Sequence, residues 1–216
     1  MSKEIERRFI PFGSAEVRAA RGEDGKVALR GMAAVTNTMS HLINGRFREQ
    51  IAPGAFDNAL KRSDIRGLFN HNPDMVLGRV KPGTMRVWAD ARGLHYDIPS
   101  LPDSRADVAE AVERGDVDGN SFSFIVAERG DKFEMRDGVR VRTITEFEEI
   151  LDLGPVTFPA YEAAKVSKRA LDMADALTDD EPVEKREEAP PEPKAPEPEL
   201  PTFDAERILL AAAEGE

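Results

Sequence analysis

Apolar and polar positions alternate through most of the chain, a pattern that predicts β-structure. "KVALRGMAAV" (26–35) reads as a strand, and "DIRGLFNHN" as another, closed by Asn72–Pro73. "TMRVWADARGLHYDIPS" predicts two strands about a turn at Arg92–Gly93. Beyond residue 120, "SFSFIVAERG", "KFEMRDGVRVRTI" and "FEEILDLGPVTF" continue the pattern, the second folded as a hairpin around Asp137–Gly138. Helical spacing interrupts it twice. "PGAFDNALKRS" carries Phe56 and Leu60 on one face. "SRADVAEAVERGD" places Val108, Ala111 and Val112 in a stripe, with Ser104 as N-cap and Gly115 as the stop. The expected fold class is therefore α+β and β-rich, with two helices.

Composition changes that picture near residue 178. From Thr178 to Pro201 the chain holds seven of its 15 prolines, many acidic residues and almost nothing to bury. Such a segment cannot offset the entropy cost of ordering, so 178–201 is expected to be a disordered acidic linker. "TFDAERILLAAAEGE" follows, a short apolar helix over 202–216 with Ile208, Leu209 and Leu210, suited to a docking peptide or frayed in solution. Residues 1–177 are left as the folded domain.

Charge and residue usage exclude several functions. A net charge of −11 argues against a general nucleic-acid binder, which needs clustered Lys and Arg. The absence of cysteine removes a disulfide framework, a thiol nucleophile and a cysteine-type zinc site. "MSKEIERRFI" is charged where a secretory signal needs an apolar run, and no stretch approaches a membrane span. An intracellular protein with no membrane partner is expected.

Three histidines are available for chemistry. His41 lies in a polar loop and reads as a surface residue. His95 alternates with Leu94 and Tyr96 and reads as a packed or solvent-facing strand residue. His71 stands where an apolar strand runs into an Asn-Pro turn, a place where rigid scaffolds present functional groups. In "VDGNSFSFIV" Ser121 and Ser123 alternate with Phe122 and Phe124. The serines are either ordinary solvent-facing residues or include a nucleophile held toward a cleft. A nucleophilic serine needs a base such as histidine, and a carboxylate to orient that base. His71, Ser121 and an acid from "EFEEILD" make a candidate set. "GNSFS" nearly matches the nucleophile elbow of α/β-hydrolases, but here a helix precedes the serine and a strand follows, the reverse of that motif.

Four blocks, in order, resemble the prohead (capsid maturation) serine proteases of tailed bacteriophages, a family related to the herpesvirus assemblins. They are "FREQIAPGAFDNAL", "LFNHNPDMVLGR", "VERGDVDGNSFSF" and "ILDLGPVTFPAYEAA", spanning roughly Gly31 to Ala164. The resemblance implies an assemblin-like antiparallel β-barrel with a few surrounding helices. It implies Ser121 as nucleophile, His71 as general base and Asp152 as third member, with Glu148 as fallback on the same strand face by period 2. Asp152 stands where the family carries glutamate, Asn120 where an apolar residue is usual, and Ser123 where glycine is common. Arg79 is a candidate helper at the oxyanion. No cofactor and no metal is implied. The expected partners are the major capsid protein and its scaffolding segment, with a homo-oligomer allowed. The expected location is inside the procapsid in the bacterial host, or an integrated prophage. The implied activity is a serine endopeptidase of procapsid maturation that also cleaves itself. The alternative is a non-catalytic scaffold or capsid-binding module on the same fold.

Overall fold

A computed structural model describes residues 4–10, 17–22, 25–158 and 165–177. These residues belong to one unit, Met1–Thr178. The expected acidic linker and terminal helix lie outside the described residues.

In chain order the unit runs β1 (Glu6–Ile10), β2 (Val17–Arg21), β3 (Val27–Val35), β4 (Arg48–Ile51) and α1 (Asp57–Arg62). It continues with β5 (Arg66–Leu68), β6 (Val76–Arg79), β7 (Arg86–Ala89), β8 (Gly93–Ile98) and α2 (Ala106–Glu113). It ends with β9 (Gly119–Val126), β10 (Asp131–Arg136), β11 (Val139–Ile144), β12 (Phe147–Val156) and α3 (Lys168–Ala176). The β-rich α+β reading holds. The β10–β11 hairpin turns where predicted, with Asp137 and Gly138 both at positive φ (51° and 73°), as a two-residue mirror-image turn requires. Gly115, at φ 81°, follows α2 as the expected stop. Ser104 is not the cap of α2; it lies inside a 3-10 turn (Asp103–Arg105), and Arg105 precedes the helix. The helix α3 and the strands β1 and β2 were not anticipated.

The strands form three sheets: β1-β9-β12-β5-β6, β2-β3-β8-β7 and β10-β11-β4. None closes on itself, so the expected single antiparallel barrel is replaced by open sheets packed together. Two pairings, β11 with β4 and β12 with β5, are parallel. The physical reason is connectivity: several strands and α2 separate each pair in sequence, and such long crossovers permit parallel pairing where tight hairpins do not.

The first sheet packs through β9 and β12 against β3 of the second. Between them Phe122 and Phe124 stack at 4.7 Å, Phe124 meets the edge of Phe147 at 4.9 Å, and Phe56 stacks on Phe147 at 4.8 Å. Burying four such rings is the main anchor of β9, since each contributes a few kcal/mol of burial plus about 1 kcal/mol of ring geometry. With Phe122 and Phe124 fixed in the core, period 2 forces Ser121 and Ser123 to the opposite face.

A second, charged anchor holds β1. Arg8 donates to both oxygens of Glu49 (2.7 and 2.8 Å) and to Glu6 (2.8 Å). Arg142, fully buried, donates to Glu6, Glu49 and Asp131. Arg169 of α3 reaches Asp131 at 2.6 Å, and Ser167, the α3 N-cap, donates to Glu6. Buried charges survive only when paired in this way. Burial alone would raise the Glu6 carboxyl, but hydrogen bonds and charge from Arg142 and Arg8 outweigh it and bring the pKa down to about 2.

Candidate active site

Three residues far apart in sequence converge at one end of the first sheet. Nε2 of His71 lies 2.6 Å from the Ser121 hydroxyl, and Nδ1 of His71 is hydrogen-bonded to Asp152. The hydroxyl of Ser121 also donates to the carbonyl oxygen of Arg8 at 3.0 Å. Ser121 is fully buried, the His71 side chain is 2% exposed and that of Asp152 13%. The reading of Ser121 as a solvent-facing strand residue is thereby overturned: it is buried, with His71 against its hydroxyl and β1 paired alongside β9, Phe9 opposite Ser121.

His71 reaches this position through two consecutive left-handed residues. Asn70 and His71 have φ of 54° and 53°, in a turn closed by Asn72, whose side-chain oxygen accepts from the N–H of Asp74. That backbone costs on the order of 1–2 kcal/mol per residue without glycine, although Asn and His tolerate it better than most. A clamp holds it. The Asn70 amide donates to the Thr157 hydroxyl (3.0 Å), its side-chain oxygen accepts from the Thr157 N–H (2.8 Å), and the Asn70 N–H bonds the Pro155 carbonyl (3.0 Å). The turn that carries His71 is thus tied to the end of β12, the strand that carries Asp152.

Asp152 owes its place to irregularity in β12. Register shifts fall between Phe147 and Glu149 and between Ile150 and Asp152. Each inserts a residue and breaks period 2, so the expectation that Glu148 shares the Asp152 face does not survive. Glu148 instead lines a separate cavity with Glu6, Ile125 and Lys168. Asp152 stands opposite Ser123 on one side and Arg66 on the other, while Gly154 stands opposite Ser121. A Cβ on Gly154 would lie 2.2 Å from the Leu68 carbonyl oxygen, so glycine is what lets the end of β5, and with it His71, approach β9 and β12 closely.

Ser123, which the sequence placed on one face with Ser121 but gave no role in the triad, is a site residue. Its hydroxyl lies 3.2 Å from Nδ1 of His71 and accepts from Nε of Arg7 at 3.1 Å. The signal was its i, i+2 relation to Ser121, which puts both serines on one face. Asn120, fully buried, accepts a hydrogen bond from the Tyr96 hydroxyl (2.7 Å), so a polar residue in an otherwise apolar place is satisfied. Arg79 is engaged elsewhere: it forks onto Asp64, on β6, three strands from β9. His41 is exposed, and His95 bonds Asp90 at 2.9 Å. Among the described residues no group of His, Asp or Glu side chains is arranged to hold a metal ion.

A serine hydroxyl, an imidazole and a carboxylate in hydrogen-bond sequence define the geometry of a serine hydrolase. The chain matches the Caudovirus prohead serine protease family over residues 13–178, and it belongs to that family. It is thus a phage capsid-maturation protease of the serine class, associated with the procapsid and its capsid protein. The matched region contains His71, Ser121 and Asp152. No curated protein and no solved structure matches the chain. No helix among the described residues is long and apolar enough to cross a membrane.

Proposed function

We propose that the chain is an endopeptidase that removes the scaffolding part of the capsid protein inside the procapsid and also cleaves itself, with Ser121 as nucleophile, His71 as base and Asp152 as the orienting acid. The hydrogen-bond sequence Ser121–His71–Asp152 carries this reading. Asp152 accepts a hydrogen bond from Nδ1–H, leaving the Nε2 lone pair for the Ser121 hydroxyl. As Oγ bonds to the substrate carbonyl carbon, its proton moves to Nε2. The imidazolium formed is stabilised by Asp152 and returns that proton to the leaving amine as the C–N bond breaks. Water then attacks the acyl ester by the same route, and Oγ regains a proton from His71.

A substrate carbonyl must reach a hydroxyl that is buried and already donates to the Arg8 carbonyl. Catalysis on this reading includes a local rearrangement that opens the site and frees the hydroxyl from that carbonyl. The burial of Ser121 is also what favours the second reading, a capsid-binding module with an unused triad. Co-expression with the capsid protein separates the two. On the protease reading the capsid protein is shortened, Ser121→Ala abolishes the shortening, and a fluorophosphonate probe labels Ser121. Unshortened capsid protein together with no labelling would establish the binding module.

A further inference from the structure

The outer face of the β2-β3-β8-β7 sheet carries a cross-strand row of charge. Arg18 stands opposite Arg30, Arg30 opposite Asp97, and Asp97 opposite Arg86, so the row reads plus, plus, minus, plus across four strands. One step along, Met32, His95 and Trp88 form an apolar row, with the indole stacked on the imidazole at 5.4 Å and 44% exposed. Arg21 and Arg92 flank these rows, and together they line a groove of about 870 Å³.

This face is unlike the rest of the molecule. Residues 1–178 are nearly balanced, with 26 Lys and Arg against 28 Asp and Glu, yet the groove gathers five arginines against one aspartate. Arg18 and Arg30 stand directly opposite on neighbouring strands, where like charges repel. Asp97 offsets part of that repulsion: Arg30 donates to it at 2.7 Å and Arg86 lies within 3.7 Å. Both arginine side chains nevertheless remain more than 70% exposed, at 72% and 73%. Asp97 thus shows how a carboxylate sits between these guanidinium groups.

We propose that this groove binds a short acidic peptide segment of a partner protein in extended conformation. Guanidinium forks match carboxylates in geometry as well as charge. The row spans three strand intervals, about 14 Å, and carboxylates on alternate residues of an extended peptide recur every ~7 Å, so two or three of them fit along it. The adjacent Trp88 ring supplies an apolar contact for a neighbouring side chain. A nucleic acid is the weaker match, because its charges continue well beyond a row of about 14 Å. The groove lies on a different sheet from Ser121 and works as a docking surface whether or not the triad is catalytic.

Trp88 is the single tryptophan of the chain, so its emission reports on the groove directly. The full chain is titrated with a peptide of alternating glutamate and serine, with the same peptide carrying glutamine, and with oligothymidylate. Saturable change with the glutamate peptide only, weakened about tenfold or more by Arg30→Glu or Arg86→Glu and by added salt, is the expected result. Calorimetry on Trp88→Ala, with an unchanged melting temperature, checks the apolar row by a second readout and is expected to show weaker binding. The proposal is overturned if the glutamate and glutamine peptides behave alike, if charge reversal changes nothing, or if oligothymidylate saturates the signal at lower concentration. Hydrolysis of a short peptide by the Arg30 and Arg86 variants is expected to match the wild type.

Discussion

Ser123 stands directly opposite Asp152 across β9 and β12, and both side chains converge on Nδ1 of His71. The imidazole is therefore gripped from two strands. Asp152 supplies the charge that fixes the tautomer, and Ser123, itself held by Arg7, limits rotation of the ring.

The two grips differ in kind, and so should their loss. Asp152→Asn is expected to lower kcat by about 10³-fold or more, because the neutral amide no longer selects the tautomer that leaves Nε2 free. Ser123→Ala is expected to lower kcat only several-fold with KM unchanged, since charge and tautomer survive. Steady-state kinetics on a short peptide read both. Equal losses from the two variants would show that Asp152 acts only as a hydrogen-bond partner.

The left-handed turn at Asn70 and His71 separates strain from clamping. Asn70→Gly accepts the backbone at φ 54° but loses both Thr157 contacts, so activity should fall about tenfold or more while stability changes by less than ~1 kcal/mol. Asn70→Ala loses the contacts and keeps the strain, and is expected to be less stable than the glycine variant by about 1 kcal/mol. Urea denaturation beside the kinetic assay resolves the two. Full activity in Asn70→Gly would remove the clamp from the account.

Gly154→Ala forces a Cβ to within 2.2 Å of the Leu68 carbonyl, and backbone cannot yield cheaply there. Loss of roughly 2–4 kcal/mol of stability is expected, within the range of other overpacked and strained sites. Whatever folded protein remains should show reduced activity, because the displaced β5 end leads into His71. A denaturation midpoint unchanged from wild type would refute the close-approach account.

Acid should loosen β1 before it unfolds the aromatic core. The carboxyl of Glu6 is lowered from 4.5 to about 2, so the unfolded chain takes up a proton more readily than the folded one. The resulting stabilisation is fully present above pH 4.5 and is lost as pH falls toward 2; it amounts to on the order of 3 kcal/mol. Denaturant midpoints measured through that window should drop more steeply for the wild type than for Glu6→Gln, which begins less stable at neutral pH because it leaves Arg8 and Arg142 short of charge. Parallel pH curves for the two proteins would place the acid sensitivity elsewhere.

Local pattern was enough wherever short-range physics decides. Period 2 fixed β3, β7, β8 and β9, turn chemistry fixed the Asp137–Gly138 hairpin, and helical spacing fixed α1 and α2. The same pattern put Ser121 and Ser123 on one face and left His71 at a strand end. The charged strand β1 was illegible, because "ERRFI" has no apolar alternation to betray burial; Glu6 and Arg8 are buried only because Glu49 and Arg142 arrive from distant strands to pair with them. Closure into sheets rather than a barrel, and the parallel pairings, depend on how crossovers pack, which no local window contains. The acid beside His71 was decided last of all. Period 2 put Asp152 and its fallback Glu148 on one face, and two register shifts of β12 against β9 separated them.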